Sequence, residues 1–130
     1  MRVARLLTAT AVGIAVFFAL IISPSAAGND DVRRSGSCGG NSEWKLKLSP
    51  EDGRLEVEFE VDQNVNGDKW RVTMRHEGDR FFRGLRTTKG PSGSFEVRRV
   101  VDDEAAGKDS FTARARNLST DELCRGSASI

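Results

Sequence analysis

The sequence contains no tyrosine, one histidine and two cysteines among its 130 residues. With His76 as the single histidine, a second one is not available to complete a histidine-based metal site. A Ser-His-Asp set could be drawn from Ser94 or Ser110 and an aspartate, but the spacing selects neither serine. No glycine-rich phosphate loop follows a strand, and no thiol nucleophile remains if the two cysteines pair. These absences favour a non-enzymatic protein without a cofactor.

The N-terminus has little charge and a long apolar run. Residues 1–5 carry two arginines, residues 6–22 are uncharged and apolar, and Pro24 is followed by small residues. This order is typical of a secretory signal peptide. We predict that residues 1–27 are removed and that the mature chain begins near Gly28. The alternative is an uncleaved anchor, because the apolar run approaches the roughly 17 residues of a short membrane span.

The mature chain lacks an excess of either charge. Removal of residues 1–27 takes away two arginines and changes the formal net charge from +1 to −1. This balance argues against a general nucleic-acid binder. Cys38 and Cys124 remain in a chain that is sent to an oxidising compartment, so we predict a disulfide between them. It would close most of the mature chain into one loop, which stabilises the fold by about 4 kcal/mol in the chain-entropy model.

Long helical periods are absent, and short segments with alternating apolar and polar residues replace them. Residues 54–62 and 69–77 alternate most regularly, and Asn66-Gly67 between them predicts an antiparallel hairpin. Five further segments also alternate: residues 44–49, 80–88, 95–101, 111–116 and 123–130. We therefore predict an all-β, seven-stranded β-sandwich formed by residues 42–130 as a single domain. Residues 28–41 are polar and are expected to form a flexible leader.

Two of the predicted strands are irregular. Phe81 and Phe82 are adjacent, so they cannot both face the core from a regular strand. In the next strand, Val100 or Val101 joins the apolar side only if a bulge lies near Arg98-Arg99.

Residues 109–117, Asp-Ser-Phe-Thr-Ala-Arg-Ala-Arg-Asn, resemble the sixth strand of immunoglobulin-like domains. Trp70 stands at the place of their core tryptophan, so most of the mature chain resembles immunoglobulin-like or fibronectin-like sandwiches. The chain departs from that pattern at Ala113, where an inter-sheet disulfide would place a cysteine, and at Phe111, which lacks the hydroxyl of the tyrosine corner. The resemblance implies that the first and last strands run parallel side by side, joined by the disulfide. The chain also resembles small secreted proteins of high-GC, actinobacterial-type bacteria, which implies no activity.

Charged residues fall unevenly on the predicted strands. If the third, fourth, sixth and seventh strands share a sheet, its outer face carries arginines without alternating carboxylates: Arg71, Arg75, Arg114, Arg116 and Arg125, with Arg83 or Arg86 beside them. The other sheet is balanced, with Lys45 and Lys47 available to Glu56, Glu58 and Glu60. Arginine suits bidentate recognition of carboxylate or phosphate. The arginines therefore predict a surface that docks an anionic envelope polymer or an acidic protein, the alternative being a solvated face covered by loop carboxylates.

Two regions carry oxygen ligands of the kind that calcium prefers. Residues 62–68 follow the pattern D-x-N-x-N-G and give four candidate ligands: Asp62, Asn64, Asn66 and Asp68. Thr73 occupies the position of the usual bidentate glutamate and strands flank the loop, so a plain hairpin loop is the alternative. At the opposite end, acidic residues of three loops, 51–52, 77–79 and 102–104, are expected to gather into a cluster.

These patterns predict a secreted binding or adhesion module, extracellular or in the cell envelope. The expected partner is a cell-envelope polymer or a secreted protein, with no nucleic acid and no membrane span after signal cleavage. The alternative is an inhibitor or accessory subunit of a secreted enzyme, presenting loops 63–68 and 89–93. The ligand and the oligomeric state stay open.

Overall fold

A computed structural model describes residues 30–130, and the predicted signal peptide lies outside these residues. The described chain forms eight strands and no helix: β1 (Val32–Ser37), β2 (Glu43–Glu51), β3 (Arg54–Asp62), β4 (Lys69–His76), β5 (Asp79–Thr87), β6 (Ser94–Asp102), β7 (Ser110–Asn117) and β8 (Leu123–Ser129). Within residues 30–130 there is accordingly no helix long and apolar enough to cross a membrane.

The strands form two four-stranded antiparallel sheets in a sandwich-like arrangement. Sheet 1 has the order β1-β2-β3-β6 and sheet 2 the order β5-β4-β7-β8. Alternate residues of each strand point to opposite faces, so the apolar set of each sheet faces the other sheet. The largest fully buried side chains include Trp70, Phe59 and Phe111. The prediction of an all-β fold is confirmed, and sheet 2 contains the four strands that we expected to share a sheet.

The predicted hairpin between residues 54–62 and 69–77 is wrong. β3 pairs with β2 and β6, whereas β4 pairs with β5 and β7, so the two segments belong to different sheets. The connection at residues 63–68 therefore crosses from one sheet to the other. Alternation identifies a half-buried strand but does not determine its partner, and a turn-forming Asn-Gly also suits such a crossing.

The structure has eight strands and not the predicted seven, because part of the predicted leader is a strand. β1 pairs antiparallel with β2 from Val32, opposite Leu48, to Ser37, opposite Glu43. Its sequence, VRRSGS, has little apolar alternation. Backbone hydrogen bonds to β2 hold β1 as an edge strand. These bonds do not require apolar side chains, so the alternation of apolar and polar residues does not reveal them.

The bulge lies in β5 and not near Arg98-Arg99. The β3–β6 register is continuous, and Val101 packs against the core without a bulge. The β4–β5 register instead shifts between Met74, opposite Phe82, and Arg75, opposite Arg80. Phe81 is the extra residue, and both Phe81 and Phe82 consequently pack against the core. The expectation that only one of them could do so assumed a regular strand.

The disulfide between Cys38 and Cys124 is confirmed. Cys38 precedes β2 and Cys124 lies in β8, so the bridge links one sheet to the other. β2 and β8 lie close together at this edge of the sandwich, but they belong to different sheets and are not hydrogen-bonded to each other; that they run parallel stays a prediction. Trp44 closes the same edge of the sandwich, since its ring lies against Gly36 and Gly126, where a Cβ would be 2.8 and 2.7 Å from the indole.

Candidate functional site

The outer face of sheet 2 consists mainly of arginine and small polar side chains. Because Trp70, Val72 and Met74 face the core, the residues between them in β4 point outward, and β7 alternates in the same way. The face forms a shallow groove of about 700 Å³. Seven arginines line it, and we call this set the arginine face: Arg71, Arg75, Arg80, Arg83, Arg114, Arg116 and Arg125.

The strand register places several of these arginines directly opposite one another. Arg71 is opposite Arg116, and Arg114 is opposite Arg125. Residues paired in this way have Cβ atoms about 4.5–5.5 Å apart, and like charges at that distance are destabilising. The face therefore concentrates positive charge at a cost in stability that bound anions would reduce.

Carboxylates reach this face at one point. Nε of Arg116 lies 3.2 Å from Oδ1 of Asp121, and within residues 30–130 no other member of the arginine face has an ion pair. The Asp121 side chain is 80% exposed, so this surface ion pair contributes little to the stability of the fold. Arg75 donates a hydrogen bond to the carbonyl oxygen of Gly78 at 3.1 Å. One loop carboxylate thus pairs with Arg116, and the other six arginines of the face have no carboxylate partner within residues 30–130.

Sheet 1 shows the opposite arrangement on its outer face. Nζ of Lys47 lies 3.3 Å from Oε2 of Glu58, and Nζ of Lys45 lies 3.7 Å from Oε1 of Glu60. Arg98 binds Glu56 and also lies 3.7 Å from Glu58. The predicted pairing of lysines with glutamates is therefore present here, and it separates a charge-balanced sheet from an arginine-rich one.

The structure decides between Arg83 and Arg86. Arg83 is opposite Thr73 on the outer face, whereas Arg86 is opposite the core residue Trp70 and its Cζ lies 5.0 Å from the centre of the Phe82 ring.

The five arginines predicted as binding residues all lie on the arginine face. Sequence reasoning missed Arg80, which the bulge in β5 brings opposite Arg75. The adjacent phenylalanines were the one signal of that bulge.

The predicted calcium loop uses its oxygen atoms within the protein. Oδ1 of Asp62 accepts a hydrogen bond from the backbone N–H of Asn64 at 3.1 Å. Oδ2 of Asp68 accepts from the side-chain amides of Gln63 at 2.6 Å and Asn117 at 2.9 Å. The bonds from Asn117 and then Gln63 lower the pKa of Asp68. The loop is thereby anchored to β7, and calcium binding by Asp62, Asn64, Asn66 and Asp68 stays a prediction.

His76 is buried at the other end of the sandwich, with 4% of its surface exposed. Its Nε2 lies 2.6 Å from Oδ2 of Asp109, its Nδ1 lies 3.9 Å from Oε2 of Glu104, and its ring stacks on Phe111 with centroids 4.3 Å apart. Asp109 also accepts hydrogen bonds from the backbone N–H groups of Glu104 and Ala105 at 3.0 and 2.9 Å. Burial opposes ionisation of Asp109, but these bonds and the His76 ring outweigh it and lower the pKa of the carboxyl.

The ligand atoms of His76, Glu77 and Asp109 lie within 4.8 Å of one another, close enough to surround one cation. They are already hydrogen-bonded within the fold, since Oε1 of Glu77 accepts from the backbone N–H and hydroxyl of Ser110. Glu77 and Glu104 belong to the acidic cluster that we predicted at this end of the sandwich, and both join this network. Asp109 was not predicted, because it contacts His76 although the two residues are 33 positions apart in the sequence. The network ties the β4–β5 turn and residues 104–109 to β7.

No protein-family model matches the chain, and no curated protein is significantly similar to it.

Proposed function

We propose that the protein is a secreted, non-enzymatic binding module that docks an anionic polymer of the cell envelope on the arginine face. The observation that supports this is the set of seven arginines lining one groove, with Arg116 alone paired to a carboxylate within residues 30–130. The guanidinium is planar and weakly hydrated, and it binds phosphate or carboxylate groups with two parallel hydrogen bonds. A polymer supplies many anions in a row, so one chain can neutralise several arginines at once.

An immunoglobulin-like or fibronectin-like topology is part of the proposal, and the strand order supports it. If β2, β3, β4, β6, β7 and β8 correspond to strands A, B, C, E, F and G, then A, B and E are neighbours in sheet 1 and C, F and G in sheet 2. β5 then takes the position of the extra strand beside C, and β1 is an addition beside A. Domains with this architecture carry many different binding surfaces, so the topology by itself does not specify a ligand.

Secretion is also part of the proposal. The disulfide between Cys38 and Cys124 supports it, because such bonds persist mainly in oxidising compartments outside the cytosol. The arrangement of residues 1–27 supports it independently, through the order of basic, apolar and small residues.

The test is sedimentation of residues 28–130 with purified host cell envelope, at low and at high salt. The test variant replaces four members of the arginine face with serine: Arg71, Arg75, Arg114 and Arg116. A matched variant removes four exposed positive charges elsewhere: Arg33, Lys45, Arg54 and Lys108. We expect wild type and the matched variant to pellet at low salt, and the test variant to stay in solution.

High salt should release the wild-type protein, because salt screens exposed charges beyond a distance of about 10 Å at 0.1 M. Equal pelleting of the wild type and the test variant would overturn the proposal. Equal loss of pelleting in the two variants would also overturn it, because net charge and not the arginine face would then control binding.

A second candidate function is inhibition or support of a secreted enzyme, and the two loops predicted to act together do lie together. The backbone N–H of Gln63 donates to the carbonyl of Gly93 at 3.0 Å, and that of Gly67 donates to Thr88 at 2.8 Å. Val65, at the tip of the first loop, is 53% exposed. Recovery of one stoichiometric protein partner with the wild type, lost on Val65→Asp but kept in the four-arginine variant, would favour this second function.

A further inference from the structure

Thr73 lies at the centre of four arginines on the arginine face. Arg71 and Arg75 are two positions before and after it in β4. Arg83 of β5 is directly opposite on one side, and Arg114 of β7 is directly opposite on the other. Thr73 is half-buried, whereas the four arginines are exposed. A short hydroxyl side chain thus forms the floor of a site whose walls are four long cationic side chains.

The spacing of a β-sheet brings these groups within reach of one small anion. Neighbouring strands are about 4.8 Å apart, and residues two positions apart on one strand are about 6.8 Å apart. All four side chains are longer than threonine, so their guanidinium groups can turn inward above the Thr73 hydroxyl; Arg75 would first release its hydrogen bond to the carbonyl oxygen of Gly78. No carboxylate competes for these four arginines within residues 30–130, since the one ion pair on this face belongs to Arg116.

The geometry favours a tetrahedral anion over a planar one. A carboxylate has two oxygens in one plane, which one or two guanidinium groups satisfy. A phosphate group directs its oxygens to several sides, so donors that approach from four directions, with a hydroxyl below, match it better. The pairs Arg71–Arg116 and Arg114–Arg125 extend the positive charge to β7 and β8, where further anions of the same chain would bind.

We propose that Thr73, Arg71, Arg75, Arg83 and Arg114 form a discrete binding site for a phosphate group of the envelope polymer. This inference rests on the proposed function and deepens it, because it names the ligand group and its place in the groove. It separates a phosphate-containing polymer from one that carries only carboxylates.

The test uses inorganic pyrophosphate and citrate as probes, with affinities measured by titration calorimetry at low salt. Thr73→Glu places a carboxylate within the ring of four arginines. Ser127→Glu is the matched control, because it adds the same charge to the same face opposite Thr112, beside Arg125 and diagonal to only one of the four arginines, Arg114. Thr73→Val keeps the shape of the side chain and removes the hydroxyl.

We expect the wild type to bind pyrophosphate at least about tenfold more tightly than citrate, since only the phosphate groups can accept hydrogen bonds from all four arginines. Thr73→Glu should weaken pyrophosphate binding by at least about tenfold and Ser127→Glu by less than about threefold, because the second charge lies outside the ring. Thr73→Val should weaken it by about fivefold, the usual value of one hydrogen bond. Circular dichroism and thermal unfolding identify any variant that fails to fold. If Thr73→Glu fails to fold, the loss of affinity in Thr73→Val is the test.

Equal losses in Thr73→Glu and Ser127→Glu, or equal affinities for pyrophosphate and citrate, would overturn the inference. If either result occurred while the envelope still pelleted the wild type in an arginine-dependent manner, the proposed function would stand without a phosphate site. If pelleting also failed, both proposals would fall.

Discussion

Replacement of Asp109 by asparagine should destabilise the protein strongly. The ionised carboxylate accepts hydrogen bonds only, and it receives three: from Nε2 of His76 and from the backbone N–H groups of Glu104 and Ala105. Asparagine keeps one accepting oxygen and adds an NH₂ group that must face a donor. Because the Asp109 side chain is 1% exposed, water cannot replace the lost bonds.

One or two unsatisfied buried donors at about 1–3 kcal/mol each give an expected loss of about 2–4 kcal/mol in the free energy of unfolding at pH 7. For a domain of this size that is a fall of about 10–20 °C in Tm. Urea unfolding followed by tryptophan fluorescence measures the change. Asp103→Asn is the control, because Asp103 is an exposed carboxylate near the same network. A loss below about 0.5 kcal/mol, the range of ordinary surface substitutions, would refute the reasoning.

The difference in stability between the wild type and Asp109→Asn should depend on pH. The pKa of Asp109 is lower in the folded protein than the ordinary value of about 3.9, so its charged form stabilises the fold at neutral pH. That contribution is lost as the pH falls below about 4, through the folded-state pKa. The difference in stability between the wild type and Asp109→Asn should therefore shrink below about pH 4. A difference that stays constant to the lowest pH at which both fold would contradict this explanation.

Three further predictions concern the rest of the fold. Reduction of the disulfide, or Cys38→Ser with Cys124→Ser, should lower the free energy of unfolding by about 4 kcal/mol, and an unchanged urea midpoint would contradict this. Gly126→Ala should cost about 1–3 kcal/mol, because its Cβ would lie 2.7 Å from the Trp44 ring, whereas Gly107→Ala, with open space around it, should be tolerated. Millimolar calcium should leave Tm unchanged, because the Asp68 carboxylate is held by two side-chain amides; a rise of several degrees would contradict this.

The strands could be predicted from the sequence where burial of one face dominates. Residues 54–62 and 69–77 alternate because each segment buries one face in the core, and the structure has strands over Arg54–Asp62 and Lys69–His76. Their pairing could not be predicted in the same way, since two half-buried strands have the same pattern whether they share a sheet or face each other. β1 escaped prediction because backbone hydrogen bonds at a sheet edge hold it, and apolar burial contributes little there.

The arginine face could be predicted in part because it depends on the same alternation. Arg71, Arg75, Arg114 and Arg116 occupy positions between core residues, so their direction follows from that of their neighbours. Arg80 could not be placed, because a single extra residue in β5 changes which side chains face outward. The ring around Thr73 also needed the register between three strands, which the sequence does not specify. His76 and Asp109 are distant in sequence, and only the fold brings them together.

The most direct test of the docking surface is NMR titration of ¹⁵N-labelled residues 28–130 with purified envelope polymer. We expect chemical-shift changes for the Nε–Hε groups of the arginine face and for the backbone amides of β4, β5, β7 and β8. Sheet 1 and the loops at residues 63–68 and 89–93 should be unaffected. Changes confined to those two loops, or spread evenly over both sheets, would contradict a docking site on the arginine face.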